Sequence, residues 1–98
     1  MKRLPSEKGY EMIDRTVEVV NESGLHARPA SELVAFLKGF PNCSITLKNE
    51  EKTANGKSII HVLLLGAAMG TKLTVSVEGE NEESVAGQIV SFITELKG

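Results

Sequence analysis

At 98 residues, with 41% hydrophobic and 24% charged side chains, the chain has the make-up of one folded domain rather than a disordered one. Eleven basic side chains against thirteen acidic ones leave a net charge of −2, and no basic stripe with interleaved aromatics is present, which argues against nucleic acid as a partner. A domain this small buries a single core with little interior left for an enclosed pocket, so function is to be sought on the surface.

Residues 1–11, MKRLPSEKGYE, carry mixed charge, Pro5 and Gly9 but no hydrophobic period and no apolar stretch of the kind a signal peptide needs. They are expected to form a flexible N-terminal tail, an extended start ahead of Met12, and the folded domain is expected over residues 12–98. Residues 16–20 alternate as a half-buried strand, with Val17 and Val19 on one face and Glu18 on the other. Asn21-Glu22-Ser23-Gly24 breaks it. From Ala27 to Phe40 the apolar residues Ala30, Leu33, Val34 and Leu37 fall at helical spacing, with Pro29 in the first turn and Gly39 and Pro41 at the exit.

Cys43, Ile45 and Leu47 then alternate with Ser44, Thr46 and Lys48 as a second strand. Asn49-Glu50-Glu51-Lys52 reads as a hairpin turn into a short strand near Lys52–Asn55. Ser58 is placed to cap a short helix carrying Ile59, Ile60, Val62, Leu63 and Leu64, closed by Gly66 and Gly70. Residues 72–78 form the clearest strand, with Leu73, Val75 and Val77 facing in. The last helix is expected to be capped by Asn81, to carry Glu82 and Glu83 in its first turn, and to bury Val85, Ile89, Phe92, Ile93 and Leu96. The order β-α-β-β-α-β-α predicts an α+β fold, an open-faced two-layer sandwich of four antiparallel strands covered on one face by three helices.

The single cysteine, Cys43, cannot form an internal disulfide and reads as a core residue. The apolar run 59–65, interrupted by His61, is too short to span a bilayer. A cytoplasmic protein with no membrane insertion is the expectation. His26, His61 and Cys43 match no metal-ligand spacing, so no metal and no cofactor are expected.

The segment that carries chemistry is Gly24-Leu25-His26-Ala27-Arg28-Pro29-Ala30. A strand ends, a glycine turns the chain and a helix starts directly after a histidine. The imidazole therefore stands beside the first free N–H groups of a helix, an arrangement that receives anions. Arg28 adds a donor fork suited to phosphate oxygens. An imidazole titrates near 6.5 in general, so a neutral, nucleophilic form is available at cellular pH. Taken alone, a histidine at a helix start is more often a plain polar residue; the string around it shifts that balance.

That string resembles the active-site motif of the HPr family, the histidine-containing phosphocarriers of the bacterial phosphoenolpyruvate:sugar phosphotransferase system, and the resemblance runs from Met12 to the chain's end. It implies that His26 is phosphorylated on Nδ1 by phosphorylated enzyme I. The group would then pass to a IIA component that feeds sugar uptake. It also implies that Arg28 steadies the group and that the N–H groups of Ala27 and Arg28 bind it. Such a protein is a monomeric intermediate in a transfer chain, not an enzyme with its own turnover. The alternative is a regulatory HPr-like protein, of the nitrogen-related branch or a kinase-controlled co-regulator, acting mainly through partner binding.

Asn55-Gly56-Lys57-Ser58-Ile59-Ile60 is similar to the region of the family's regulatory serine, the target of an HPr kinase/phosphorylase in many relatives. Ser58 as a helix cap is the plainer reading and holds in either case. The short helix has more apolar residues than so small a core takes. Val62 and Leu65 are expected inside, leaving Ile59, Ile60 and Leu63 exposed beside His26 as a partner-docking patch. Two departures from the family stand out: His61 replaces a common glycine, and the hairpin at 49–52 is about one residue longer than usual. His61 either alters partner choice or is a neutral surface residue, the simpler of the two.

Overall fold

The first strand is longer at its start than alternation alone suggests. In the computed structural model, which describes residues 12–96, β1 spans Met12–Glu18 rather than beginning at Thr16. The reason is Arg15, which holds an inward position between Ile13 and Val17 and breaks the apolar pattern, yet lies exposed with its Nη1 donating to the Asp14 carbonyl at 3.0 Å. β1 is an edge strand, and a charge in that phase discourages pairing with another chain. The expected tail, 1–11, lies outside the described residues, as do Lys97 and Gly98.

The remaining strands are β2 (Cys43–Asn49), β3 (Lys52–Asn55) and β4 (Lys72–Gly79), and every pairing is antiparallel in the order β1-β4-β2-β3. Period-two alternation puts Val17, Ile45, Leu47, Leu73, Val75 and Val77 on one face, where all are buried. The other face carries Thr16, Thr74, Ser76 and Thr46 in adjacent register, while the buried faces of α1 and α3 among the described residues pack on the opposite side. Ser76, central and buried, donates to Oδ1 of Asp14 across the β1–β4 pair at 2.7 Å. The fold is therefore the expected open-faced sandwich.

The helices are α1 (Ala27–Leu37), α2 (Ile59–Leu64) and α3 (Glu82–Thr94). α1 stops three residues short of Phe40, because Gly39 and Phe40 turn back to the carbonyls of Phe36 and Leu37 and Pro41 has no N–H to continue a helix. Ala30, Leu33, Val34 and Leu37 face the core from α1, as do Val85, Ala86, Ile89 and Ile93 from α3. Phe92 departs from its expected burial: it is half-exposed on the flank of α3 and stacks on Phe36 with ring centroids 4.3 Å apart. Phe36 also meets the edge of Phe40 at 5.3 Å, so the aromatics tie α1 to α3 from outside the core.

Lys57 pins the end of α1 to the start of β2, its Nζ donating to the carbonyls of Phe40 and Cys43 at 2.7 Å each. Cys43 is buried as expected and donates to the Glu80 carbonyl at 3.2 Å. Burial pushes its thiol up from the usual range, with Lys57 opposing and Glu82 and Glu80 reinforcing the shift. It stays a protonated, inert packing residue at neutral pH.

Candidate functional site: a histidine at an open helix start

The loop between β1 and α1 is built to deliver residue 26. Gly24 takes a left-handed φ of +68°, and a Cβ there would stand 2.4 Å from the Ala67 carbonyl oxygen and 2.8 Å from the Cα of Ala68. Only glycine fits both demands. The close approach lets the Leu25 N–H donate to the Ala67 carbonyl at 2.8 Å, which fastens the residue before His26 to the segment leaving α2. Leu25 is buried beneath, and His26 comes out exposed.

His26 is the residue from which α1 starts, with extended backbone (φ −83°, ψ −171°) and a carbonyl that accepts the first intrahelical bond, from Ala30 at 2.9 Å. Its side chain makes no capping bond. Ala27 and Arg28, the first residues of the helix, have N–H groups without an intrahelical partner, and Pro29 has none to offer. No acidic residue occupies the first turn of α1. The place is open to an anion and carries a cation. Arg28 is 84% exposed, with its Nε 3.9 Å from Oε2 of Glu32 one turn on.

An open groove of about 800 Å³ runs beside His26 and Arg28, walled by Ser23, Glu32, Phe92 of α3, and Glu95 and Leu96 just past its end. The sequence reading brought His26, Ala27 and Arg28 together and missed the α3 wall and Glu32. Glu32 has a signal in the sequence, its i+4 spacing from Arg28; Glu95 has none, since only the packing of α3 brings it there. Asn21 was also missed. It is buried, its side-chain Nδ2 donates to the Gly24 carbonyl at 2.6 Å, and its backbone carbonyl accepts from Gly24 N–H at 3.0 Å. Asn21 thus locks the turn that presents His26.

Ser58 stands before α2, and its Oγ accepts from the His61 N–H at 3.4 Å, the cap expected of it. The His61 side chain is exposed. Val62 and Leu65 are buried, whereas Ile59, Ile60 and Leu63 are 37%, 66% and 39% exposed. Leu64, Met69 and Val20 are exposed as well. No helix among the described residues is long and apolar enough to cross a membrane.

Fold and site together define a small open-faced α+β domain that presents a histidine beside a free helix start. Comparison with known proteins agrees: the family model PTS-HPr, described as the PTS HPr component phosphorylation site, matches residues 13–95. The chain is 41% identical over 78 residues to the phosphocarrier protein HPr of Lysinibacillus sphaericus, covering 80% of this chain and 88% of that one. It is 35% identical to the phosphocarrier protein NPr of Escherichia coli K12, covering 82% and 89%. A crystal structure of HPr from Bacillus anthracis superposes with a TM-score of 0.78 at 30% identity, covering 83% and 95%. The chain belongs to the HPr family, the phosphocarriers of the phosphotransferase system.

Proposed function

We propose that the chain takes a phosphoryl group on Nδ1 of His26 from phosphorylated enzyme I and passes it to a IIA component for sugar uptake. The observation that carries this is an exposed imidazole at a helix start that its own side chain leaves uncapped, one residue from Ala27 and two from Arg28. In the transfer, a ring nitrogen bonds to phosphorus as the donor's bond to phosphorus breaks. Water takes no part, and the onward step repeats the exchange with the acceptor as nucleophile. The chain is consumed and regenerated rather than turning over a substrate of its own, and needs no cofactor.

Magnitudes suit the role. A helix terminus gives a nearby anion about 0.3–1 kcal/mol. A charge-assisted bond from a guanidinium adds about 1.5–3 kcal/mol when desolvated and less at a side chain as exposed as Arg28. Such a site steadies a phosphoryl group without trapping it, which a carrier requires.

On this reading the exposed Ile59, Ile60 and Leu63 receive the partners, and Ser58 at their edge is the site at which an HPr kinase/phosphorylase regulates docking. The domain is the unit 12–98, preceded by the tail 1–11, acting as a monomer in the cytoplasm. Similarity to NPr supports a second reading, a carrier of the nitrogen-related branch with the same chemistry and different partners. Incubation with phosphoenolpyruvate and enzyme I should add one acid-labile, alkali-stable phosphate, and His26→Ala should fold normally and take up none. Equal labelling of His26→Ala would sink the proposal, and labelling only by the nitrogen-branch donor would select the second reading.

A further inference from the structure

Arg28 already faces an anion of its own chain. Its Nε lies 3.9 Å from Oε2 of Glu32, in an i, i+4 pair with the cation nearer the helix start. That is the less favourable order for helix stability, and both side chains are largely exposed, so the pair does little for the fold. Glu95 reaches the same groove from the end of α3. Among the described residues that line the groove, one guanidinium, Arg28, is therefore set among two carboxylates, Glu32 and Glu95.

We propose that Glu32 is a positioning residue that acts through Arg28, competing with the phosphoryl group for the guanidinium and keeping the phosphorylated state ready to donate. The inference rests on the reading of His26 as phosphoacceptor. In the resting chain Glu32 draws the guanidinium along α1. When a dianionic phosphoryl group arrives, it outcompetes a single carboxylate for the same donors, and Arg28 changes partner. Glu32 is then left without its cation in a groove that holds a dianion and Glu95. That repulsion raises the free energy of the loaded state relative to the empty one, and onward transfer relieves it. The helix start and Arg28 receive the group; the two acids keep it from settling.

The test uses the full chain and two readouts. In the first, inorganic phosphate is titrated into unphosphorylated protein while the side-chain NMR signals of His26 and Arg28 are followed. Glu32→Gln, which keeps the shape and removes the charge, should tighten phosphate binding about three-fold at low salt. The gain should shrink to less than half at 0.5 M NaCl, where the Debye length is only several Å. In an Arg28→Ala background, Glu32→Gln should lose most of that gain, because only the direct repulsion between Glu32 and phosphate is left to relieve. In the second readout, Glu32→Gln should hold about three-fold more phosphoryl than wild type at equilibrium with the same phosphorylated donor. Glu32→Gln that gains no phosphate affinity, or a gain that Arg28→Ala or high salt leaves undiminished, overturns the proposal. If the phosphate titration behaves as expected but His26 accepts no label from any donor, the carrier reading fails while the competition between Glu32 and phosphate for Arg28 stands.

Discussion

The starts of α1 and α3 are alike in lacking a side-chain cap and opposite in the charges they carry. Neither His26 nor Asn81 makes a side-chain capping bond, so each helix begins with N–H groups facing outward. Asn81 manages this from the left-handed region (φ 56°), which a short polar side chain tolerates, and His26 from an extended one. α3 then places Glu82 and Glu83 in its first turn, while α1 has no acid there and carries Arg28. The acids of α3 satisfy its positive end internally and repel a second anion. α1 leaves its positive end for something outside the chain. A helix terminus becomes a binding site only where the first-turn charges leave it unsatisfied, and α1 meets that condition.

The largest effect should come from disturbing how α1 is presented rather than its charges. Gly24→Ala forces a Cβ into a left-handed backbone 2.4 Å from the Ala67 carbonyl. The strain alone costs about 1–3 kcal/mol, and the clash with backbone on the α2 side cannot be relieved by a rotamer change. A loss of about 3 kcal/mol is expected, a fall in Tm of more than 12 °C for a domain this size, measured by thermal or urea unfolding. Phosphoryl uptake by the folded fraction should fall too, because Leu25 would lose its bond to Ala67. Gly24→Ala with wild-type stability would show that the close approach is not a constraint.

This geometry explains what the sequence did and did not reveal. The alternation in β2 and β4 and the 3.6-residue period in α1 were legible because each element has one buried face, and burial selects side chains at that spacing. β1 was legible only from Thr16 because an edge strand admits Arg15 in an inward position. Phe92 looked like core because helical spacing cannot tell a buried stripe from a flank that stacks on Phe36. Within the site, His26, Arg28 and their helix start are contiguous in sequence and could be read. Glu95 and Leu96 enter the groove only through the packing of α3, and the Asn21 lock depends on a turn shape that composition does not encode.

A second prediction turns α1 into a copy of α3. Arg28→Glu puts an acid in the first turn, beside His26, and removes the cation. Arg28→Ala keeps the free N–H groups and should slow phosphoryl transfer about ten-fold, in line with the loss of one largely exposed charge-assisted bond. Arg28→Glu adds repulsion of the incoming dianion and should slow it about a hundred-fold, with little change in stability, since residue 28 is exposed. Stopped-flow or quenched transfer from enzyme I measures both. Equal rates for the alanine and glutamate variants would mean that first-turn charge does not distinguish the two helix starts.

The smallest effect concerns α2, the helix start whose free N–H is already taken. Ser58 Oγ accepts from His61 N–H at 3.4 Å, a long bond, so Ser58→Ala should cost only about 0.5–1 kcal/mol, a few degrees in Tm. Ser58→Asp replaces one good cap with another and sets a negative charge at the positive end of the helix, so its stability should equal or exceed that of wild type. Carrier function should rank the two variants the other way. Alanine leaves Ile59, Ile60 and Leu63 as they are, and its uptake of phosphate on His26 should match wild type. Aspartate sets a charge at the edge of that patch, and a partner that covers Ile59 and Leu63 must desolvate it. Burying an aliphatic side chain returns only about 1.5–3 kcal/mol, and less for residues already more than half buried, so one charge is enough to weaken docking measurably. The expected result is a more stable protein that accepts phosphate from enzyme I more slowly, read from paired melting curves and transfer rates. Wild-type transfer by Ser58→Asp would mean that the partner does not cover this end of α2, and Ser58 would then be a cap and nothing more.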